Sequence, residues 1–242
     1  MTTAKTNDVL LEGTVSGQPE FSHENHGARF YRFFLEIPRL SGQADLLPVL
    51  VPEALLSQVE GGHALRVRGQ LRSFNNRTGV GNRLVLSVYA TEAETPAGQP
   101  CNRIVLSGAL CKPPIFRKTP LGRSICDLML AVPRRYGRAD YLPVIAWGQL
   151  ALRASRLQVG DPLALEGRVQ SRLYHKVTEA GTEERTAYEV SMMHLLEAPS
   201  QSEPEGKPAN RRERCSRRFV LYFVGKPKLS RMSKRKPRKL LG

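Results

Sequence analysis

The sequence is poor in the residues from which most enzyme centres and metal sites are built. Its 242 residues include only 4 cysteines, 5 histidines and 1 tryptophan. The cysteines form no C-x-x-C pair, and no histidine follows a cysteine pair at zinc-finger spacing. A phosphate-binding glycine loop, a G-x-S-x-G elbow and a convergent carboxylate pair are also missing. We therefore expect no enzyme, no metal and no cofactor, and we interpret His23 and His26 as solvated loop residues.

Long apolar stretches are absent as well. No window approaches the roughly 18 apolar residues that a membrane-spanning helix requires. The segment MTTAKTNDVLLEG lacks the charged and apolar regions of a secretory signal, and few cysteines outside any pairing motif are typical of a reducing compartment. These observations predict a cytoplasmic protein with no membrane partner.

Negative charge becomes scarce toward the C-terminus. The chain has 37 Lys and Arg against 22 Asp and Glu, for a formal net charge of +15. Residues 1–98 carry 9 basic and 10 acidic side chains, residues 99–199 carry 14 and 9, and residues 200–242 carry 14 and 3. A basic surface favours an anionic partner, most often nucleic acid, although it can also be a solvated face. The last segment is predicted to be a disordered basic tail; a shifted reading frame is the alternative.

An internal repeat organises the chain. When Asn7 is aligned with Asn102, glycines, prolines and aspartates of the two halves coincide at constant spacing. The matches include Gly13 with Gly108, Pro38-Arg39 with Pro133-Arg134, Asp45 with Asp140, Gly69 with Gly167, and Ser73 with Ser171. Because glycine and proline set local backbone geometry, we interpret the matches as two homologous domains. The predicted domains are 5–95 and 100–198, joined by the linker Thr95 to Pro100, with the basic tail at 199–242.

Each copy is predicted to contain five strands. The strands of copy one are DVLLEGTV, ARFYRFFLEIP, DLLPVLVP, HALRVRGQLRSF and NRLVLSVYA. A short helix, EALLSQV in copy one and GQLALRASRL in copy two, separates the third strand from the fourth. This order predicts an all-β chain of two tandem OB-fold five-stranded barrels. Asp45 and Asp140 precede the third strands, where we expect them to cap turns.

Side-chain alternation separates an aromatic face from a core face in copy two. Tyr141 and Trp147 share one face of the third strand, and apolar residues occupy the other. The fourth strand carries Arg168, Arg172, Tyr174 and Lys176 on one face and Leu165, Val169 and Leu173 on the other. Tyr136 lies in a loop with Arg134, Arg135 and Arg138. Aromatic rings stack on bases and arginine pairs with phosphate, although each ring can also be core, Trp147 above all.

Copy two resembles the bacterial-type single-stranded DNA-binding protein family, to which primosomal replication protein N is related. The resemblance rests on NRIVLSGAL, on DYLPVIAWGQLA and on LQVGDPLALEGRVQSRLY, and it covers most of residues 102–197. It implies that bases stack on Tyr136, Tyr141, Trp147 and Tyr174. It also implies a bacterial cytoplasmic or nucleoid location. Tyrosine stands at three positions where tryptophan is frequent, and the family's acidic tail is missing.

Copy one resembles the family more faintly. At the four aligned positions it carries Ser41, Leu46, Pro52 and Asn76, so the stacking residues are lost. Its fourth strand keeps Arg68, Arg72 and Phe74, which we expect to be secondary nucleic-acid contacts. We therefore predict a weaker-binding, partly structural first domain.

The predicted function is sequence-independent binding of single-stranded DNA in replication, recombination or repair. One alternative is a protein-interaction module of a primosome-like assembly with little DNA binding; another is single-stranded RNA binding. Four OB domains often assemble in the resembled family, so we expect a homodimer that supplies four. Replication or repair proteins are further candidate partners.

Overall fold

In the computed structural model, which describes residues 6–60, 63–76, 82–96, 98–178 and 181–196, both copies fold into closed barrels. The predicted basic tail lies outside these residues. The strands of the first barrel are β1 (Asn7–Asn25), β2 (Ala28–Pro38), β3 (Ala44–Pro52), β4 (Ala64–Asn75) and β5 (Leu84–Glu94). A 3₁₀ turn (Glu53–Leu55) and helix α1 (Leu56–Glu60) follow β3. The barrel closes in the order β1-β2-β3-β5-β4 because β1 pairs with both β2 and β4.

The second barrel repeats this order with one strand divided. Its elements are β6 (Cys101–Leu110), β7 (Ile115–Lys118), β8 (Ser124–Pro133), β9 (Ala139–Trp147), α2 (Gly148–Ala154), β10 (Pro162–Thr178) and β11 (Gly181–Leu196). Pro113 and Pro114 separate β6 from β7, since proline has no N–H to give to the ladder. The all-β class, the OB fold and the helix after the third strand are confirmed, whereas the predicted domain limits stay a prediction.

The two barrels share one continuous sheet through their first strands. β1 and β6 run antiparallel, and Val9 pairs with Ile104, its own equivalent in the repeat. The paired strands therefore relate the two copies by an approximate twofold axis through this residue pair. Each barrel buries alternate apolar side chains, such as Leu11 and Leu106, in its core.

The repeated glycines of the fourth strands are explained by close strand contact. Gly69 and Gly167 both lie at a register shift, where β4 pairs with β5 and β10 with β11. A Cβ at either glycine would collide with the carbonyl oxygen of Tyr89 or Ser191 on the neighbouring strand. Only glycine fits these bulges. Neither described helix has the length or the apolar content needed to cross a membrane.

Candidate nucleic-acid interface

The outer face of β9 carries two exposed aromatic side chains. Tyr141 is 43% exposed and Trp147 is 40% exposed, whereas Leu142 and Val144 between them are buried in the core. Alternation along the strand therefore sends the aromatics outward, as the sequence predicts. Trp147 lies opposite Ile125 of β8, and Tyr141 lies nearer to the loop that joins β8 to β9. Neither ring is used to fill the barrel, and both lie on its outer face.

The loop between β8 and β9 presents Tyr136 at its tip. Tyr136 is 96% exposed and has φ 61° and ψ 36°, a left-handed conformation that is costly for a residue with a Cβ. The loop is closed by a hydrogen bond of 2.8 Å from the Arg134 amide to the Arg138 carbonyl. Strained backbone is retained where the surroundings or the function require it. This turn presents the Tyr136 ring fully to solvent, and the side chains of Arg135 and Arg138 in the same loop are also exposed.

Arg134 does not extend into solvent with its neighbours. Its guanidinium lies 3.4 Å from Asp140, whose side chain is completely buried. The backbone amide of Ser73, in the first barrel, donates to the same carboxylate at 2.9 Å, and Arg72 contacts it at 3.0 Å. Arg72 and Arg134, both predicted to contact nucleic acid, thus form ion pairs inside the contact between the two copies. In this position their first role is to neutralise the buried carboxylate of Asp140.

The first copy makes the same contact in the opposite direction. Asp45 is buried and accepts a hydrogen bond of 2.7 Å from the amide of Ser171 in the second barrel. Arg39 bonds both Asp45 and, at 2.8 Å, the Ser171 carbonyl. The prediction that Asp45 and Asp140 cap turns is therefore wrong. Each carboxylate instead accepts a hydrogen bond from the backbone amide of a serine in the other copy. We call this symmetric pair of contacts, Asp45 with Ser171 and Asp140 with Ser73, the clasp.

The fourth strand of the second barrel continues beyond the barrel itself. β10 pairs with β6 only as far as Gly167, and from there it pairs with β11 alone. Residues 171–178 pair here with residues 181–188. We call this ladder the second arm, because it projects from the second barrel. Leu173 is 64% exposed on this arm, so its predicted place in the core is wrong. Alternation continues along β10, but no core lies beneath the arm.

The cationic face of β10 is partly occupied by partners within the barrel. The Nε–H of Arg168 is buried and meets no acceptor among the described residues. Arg172 lies 3.8 Å from Glu189 and 5.9 Å from the ring of Tyr174. Lys176 lies further out on the same face. A buried donor without an acceptor is uncommon, and among the described residues Arg168 has one.

Tyr174 is held by the first copy. Its hydroxyl donates a hydrogen bond of 2.9 Å to Oδ1 of Asn82, and the Asn82 amide donates to the Thr186 carbonyl of β11. Ser73 makes an equivalent contact, since its hydroxyl accepts the Tyr141 amide at 2.8 Å. The first copy therefore positions two of the four predicted stacking residues. Sequence reasoning missed both contacts. The match of Ser73 with Ser171 in the internal repeat could have indicated the first contact, but no sequence pattern marks Asn82.

The remaining predicted residues of the first barrel lie on β4. Arg68 is 3.9 Å from Glu92, a pair that is exposed on both sides, and such pairs contribute little to stability. Phe74 is 42% exposed at the outer end of β4, beside Ser73 and hence beside the contact with β9. Of the three secondary residues, Arg72 contacts the aromatic strand of the second barrel through Asp140, and Phe74 lies two residues further along β4.

Other basic residues of the second barrel are neutralised locally. Arg117 forms two hydrogen bonds of 2.8 and 3.1 Å with Asp127, and Arg103 forms one of 2.7 Å with Glu166. The bond to Arg103 lowers the pKa of the Glu166 carboxyl. These cations are committed to carboxylates, whereas Arg135 and Arg138 are exposed beside Tyr136. The loop and the outer faces of β9 and β10 therefore form the candidate interface.

Comparisons with known proteins identify the family of the chain. The sequence model of the single-strand binding protein family matches residues 101–196. A single-stranded DNA-binding protein of Thermus thermophilus is 30% identical over 219 residues, which cover 85% of this chain and 81% of that protein. One from Clostridium tetani is 38% identical over 80 residues, which cover 30% of this chain and 55% of that protein.

A solved structure is similar over both barrels. The crystal structure of the wild-type single-stranded DNA binding protein from Thermus aquaticus superposes with a TM-score of 0.60 at 25% identity. The superposition covers 84% of this chain and 95% of the other. The similarity therefore extends over the tandem arrangement and not only over one barrel.

Proposed function

The chain belongs to the single-strand binding protein family, and we propose that it binds single-stranded DNA without reading its sequence. The observation that carries the proposal is the exposed aromatic set of Tyr136, Tyr141 and Trp147, each of which is at least 40% exposed. Aromatic rings held outside a core suit flat bases, and any base can stack on them.

Phosphate contacts complete the binding reaction. Arg135 and Arg138 flank the loop aromatic, and Arg168, Arg172 and Lys176 follow β10. Cations that replace the counterions of a single strand release those ions, which drives binding at low salt. A strand that runs from the loop over β9 and then over β11 to β10 meets the rings first and the cations of β10 after them. Both the stacking and the phosphate contacts are independent of base identity.

This activity suits the protection of exposed single strands during replication, recombination or repair. Two chains would bring four barrels together, and we expect the homodimer to be the working unit. Sedimentation equilibrium tests the dimer, because a mass twice the 27.0 kDa of one chain is expected. A mass of one chain at micromolar concentration would contradict it.

Salt-dependent binding of labelled oligo-dT tests the function. If the five cations named above each neutralise one phosphate, the slope of log K against log salt is about −3.5. Arg135→Gln should reduce the slope by about 0.7, whereas Arg117→Gln, in a pair with Asp127, should leave it unchanged. A flat salt response would contradict the proposal. If a matched oligo-U binds more tightly than oligo-dT, the preferred ligand is single-stranded RNA instead of DNA.

A further inference from the structure

The outer face of the first barrel carries aromatic side chains that its alignment with the second barrel conceals. In the second barrel, Trp147 of β9 lies opposite Ile125 of β8. In the first barrel, the aligned pair is Pro52 of β3 opposite Phe30 of β2. Residues directly opposite each other in a ladder share one face. The cross-strand pair has therefore kept one aromatic and one smaller residue, but the aromatic has moved to the adjacent strand.

Phe30 is the base of a small aromatic cluster. It is 9% exposed, yet it lies outside the core cluster of the barrel, because the core takes the odd-numbered residues of β2, such as Phe33. The His23 ring stacks on Phe30 with centroids 5.0 Å apart and planes at 16°. Tyr89 of β5 lies 6.0 Å from Phe30. The exposed imidazole of His23 thus forms the outer layer of the stack, rather than a solvated loop side chain.

Cations lie beside this cluster. Arg32 follows Phe30 on the same face of β2, and its side chain is 53% exposed. Its contact with Glu20 is 3.5 Å long and open to solvent, so a phosphate can displace it at low cost. The pairing of an accessible ring with an accessible guanidinium is the same as at Tyr136 in the second barrel.

The cluster is continuous with the interface already described. Ser171 of the second arm accepts the Leu46 amide at 3.3 Å, which seats the arm against β3. Leu50 lies on the same face of β3 as Leu46, directly opposite Arg32 of β2. A strand that leaves Tyr174 on the arm can therefore cross β3 to Arg32 and Phe30 on β2.

We propose that His23, stacked on Phe30 beside Tyr89 and Arg32, is a second base-stacking platform for single-stranded nucleic acid on the first barrel. The inference rests on the proposed function and changes the expected role of copy one. That copy lost the aligned aromatics but carries a relocated set on the same face. The two barrels then stack bases on different strands of the same fold.

Two matched substitutions in one hairpin test the platform. His23→Asn removes the outer ring, whereas His26→Asn removes an imidazole from the turn, where φ is 50° and asparagine is tolerated. His23→Tyr restores a flat ring without an imidazole. Each full-length variant is titrated with oligo-dT of about 30 nucleotides, enough for more than one barrel. Anisotropy of labelled DNA gives the affinity, and Trp147 emission reports the second barrel separately.

His23→Asn is expected to weaken binding about fivefold, the lower end for one stacked base. His26→Asn and His23→Tyr should stay within twofold of the wild type, and the amplitude of Trp147 quenching should be the same in all variants. Equal affinities for His23→Asn and His26→Asn, or equal losses for His23→Asn and His23→Tyr, would overturn the platform alone. A wild-type protein that binds no oligo-dT would overturn the proposed function and the platform with it.

Discussion

Replacing Asp140 with alanine tests the clasp between the two copies. The Asp140 carboxylate is fully buried, accepts the Ser73 amide at 2.9 Å and lies 3.0 Å from Arg72 and 3.4 Å from Arg134. A hydrogen bond to a charged group contributes about 1.5–3 kcal/mol. Breaking a buried ion pair by removing one partner costs about 3–5 kcal/mol. The two arginine side chains are 20% and 29% exposed and can partly rehydrate, so we expect a loss of about 3 kcal/mol.

Urea unfolding followed by circular dichroism measures this loss. With a slope of about 1–3 kcal/mol per molar urea, the midpoint should fall by about 1 M or more. Asp127→Ala is the matched control in the same barrel, because its pair with Arg117 is 48% and 30% exposed. That pair should contribute less than about 1 kcal/mol. Equal shifts for the two variants would refute the idea that a buried clasp joins the copies.

Three further outcomes follow from the geometry. Tyr136→Gly should raise the melting temperature, because about 1 kcal/mol of left-handed strain is removed, and should weaken oligo-dT binding; a lower melting temperature would contradict the strain. Asn82→Ala and Tyr174→Phe remove the same hydrogen bond, so the double variant should bind oligo-dT as well as either single variant does. Additive losses of affinity would contradict the idea that Asn82 acts by positioning Tyr174. Burial raises the pKa of Cys126 to about 11. Its alkylation by iodoacetamide at pH 8, followed by mass spectrometry, should be about 100-fold slower in the folded protein than in urea, and equal rates would contradict the burial.

The sequence predicted the features that depend on local periodicity. Tyr141 and Trp147 were placed outward because the alternate residues of the same strand already make a sufficient core. The short helices followed from their position after the third strand. Pro113 and Pro114 are evident in the sequence, but the division of the first strand of copy two at these prolines was not predicted.

Features that depend on partners distant in the chain were not predicted. Asp45 and Asp140 were visible as a repeat, but their serine partners lie 126 and 67 residues away, in the other copy. Leu173 has the alternation of a core residue, and only the extent of the pairing with β6 shows that the barrel ends before it.

The aromatic cluster of copy one was hidden for a related reason. Alignment compares Pro52 with Trp147 on the same strand, and it registers a lost aromatic. The replacement, Phe30, lies on the neighbouring strand, so the register between β2 and β3 is needed to see that the two positions share a face. A sequence comparison along one strand therefore underestimates the binding surface of the first barrel.

The central claim is that bases stack on the outer face of the second barrel. Trp147 is the only tryptophan of the chain, so its emission reports this face alone. Titration with oligo-dT is predicted to quench Trp147 to a plateau, at a midpoint that moves to higher DNA concentration as salt increases. Unchanged Trp147 emission, under conditions where anisotropy shows the oligo-dT to be bound, would contradict the claim.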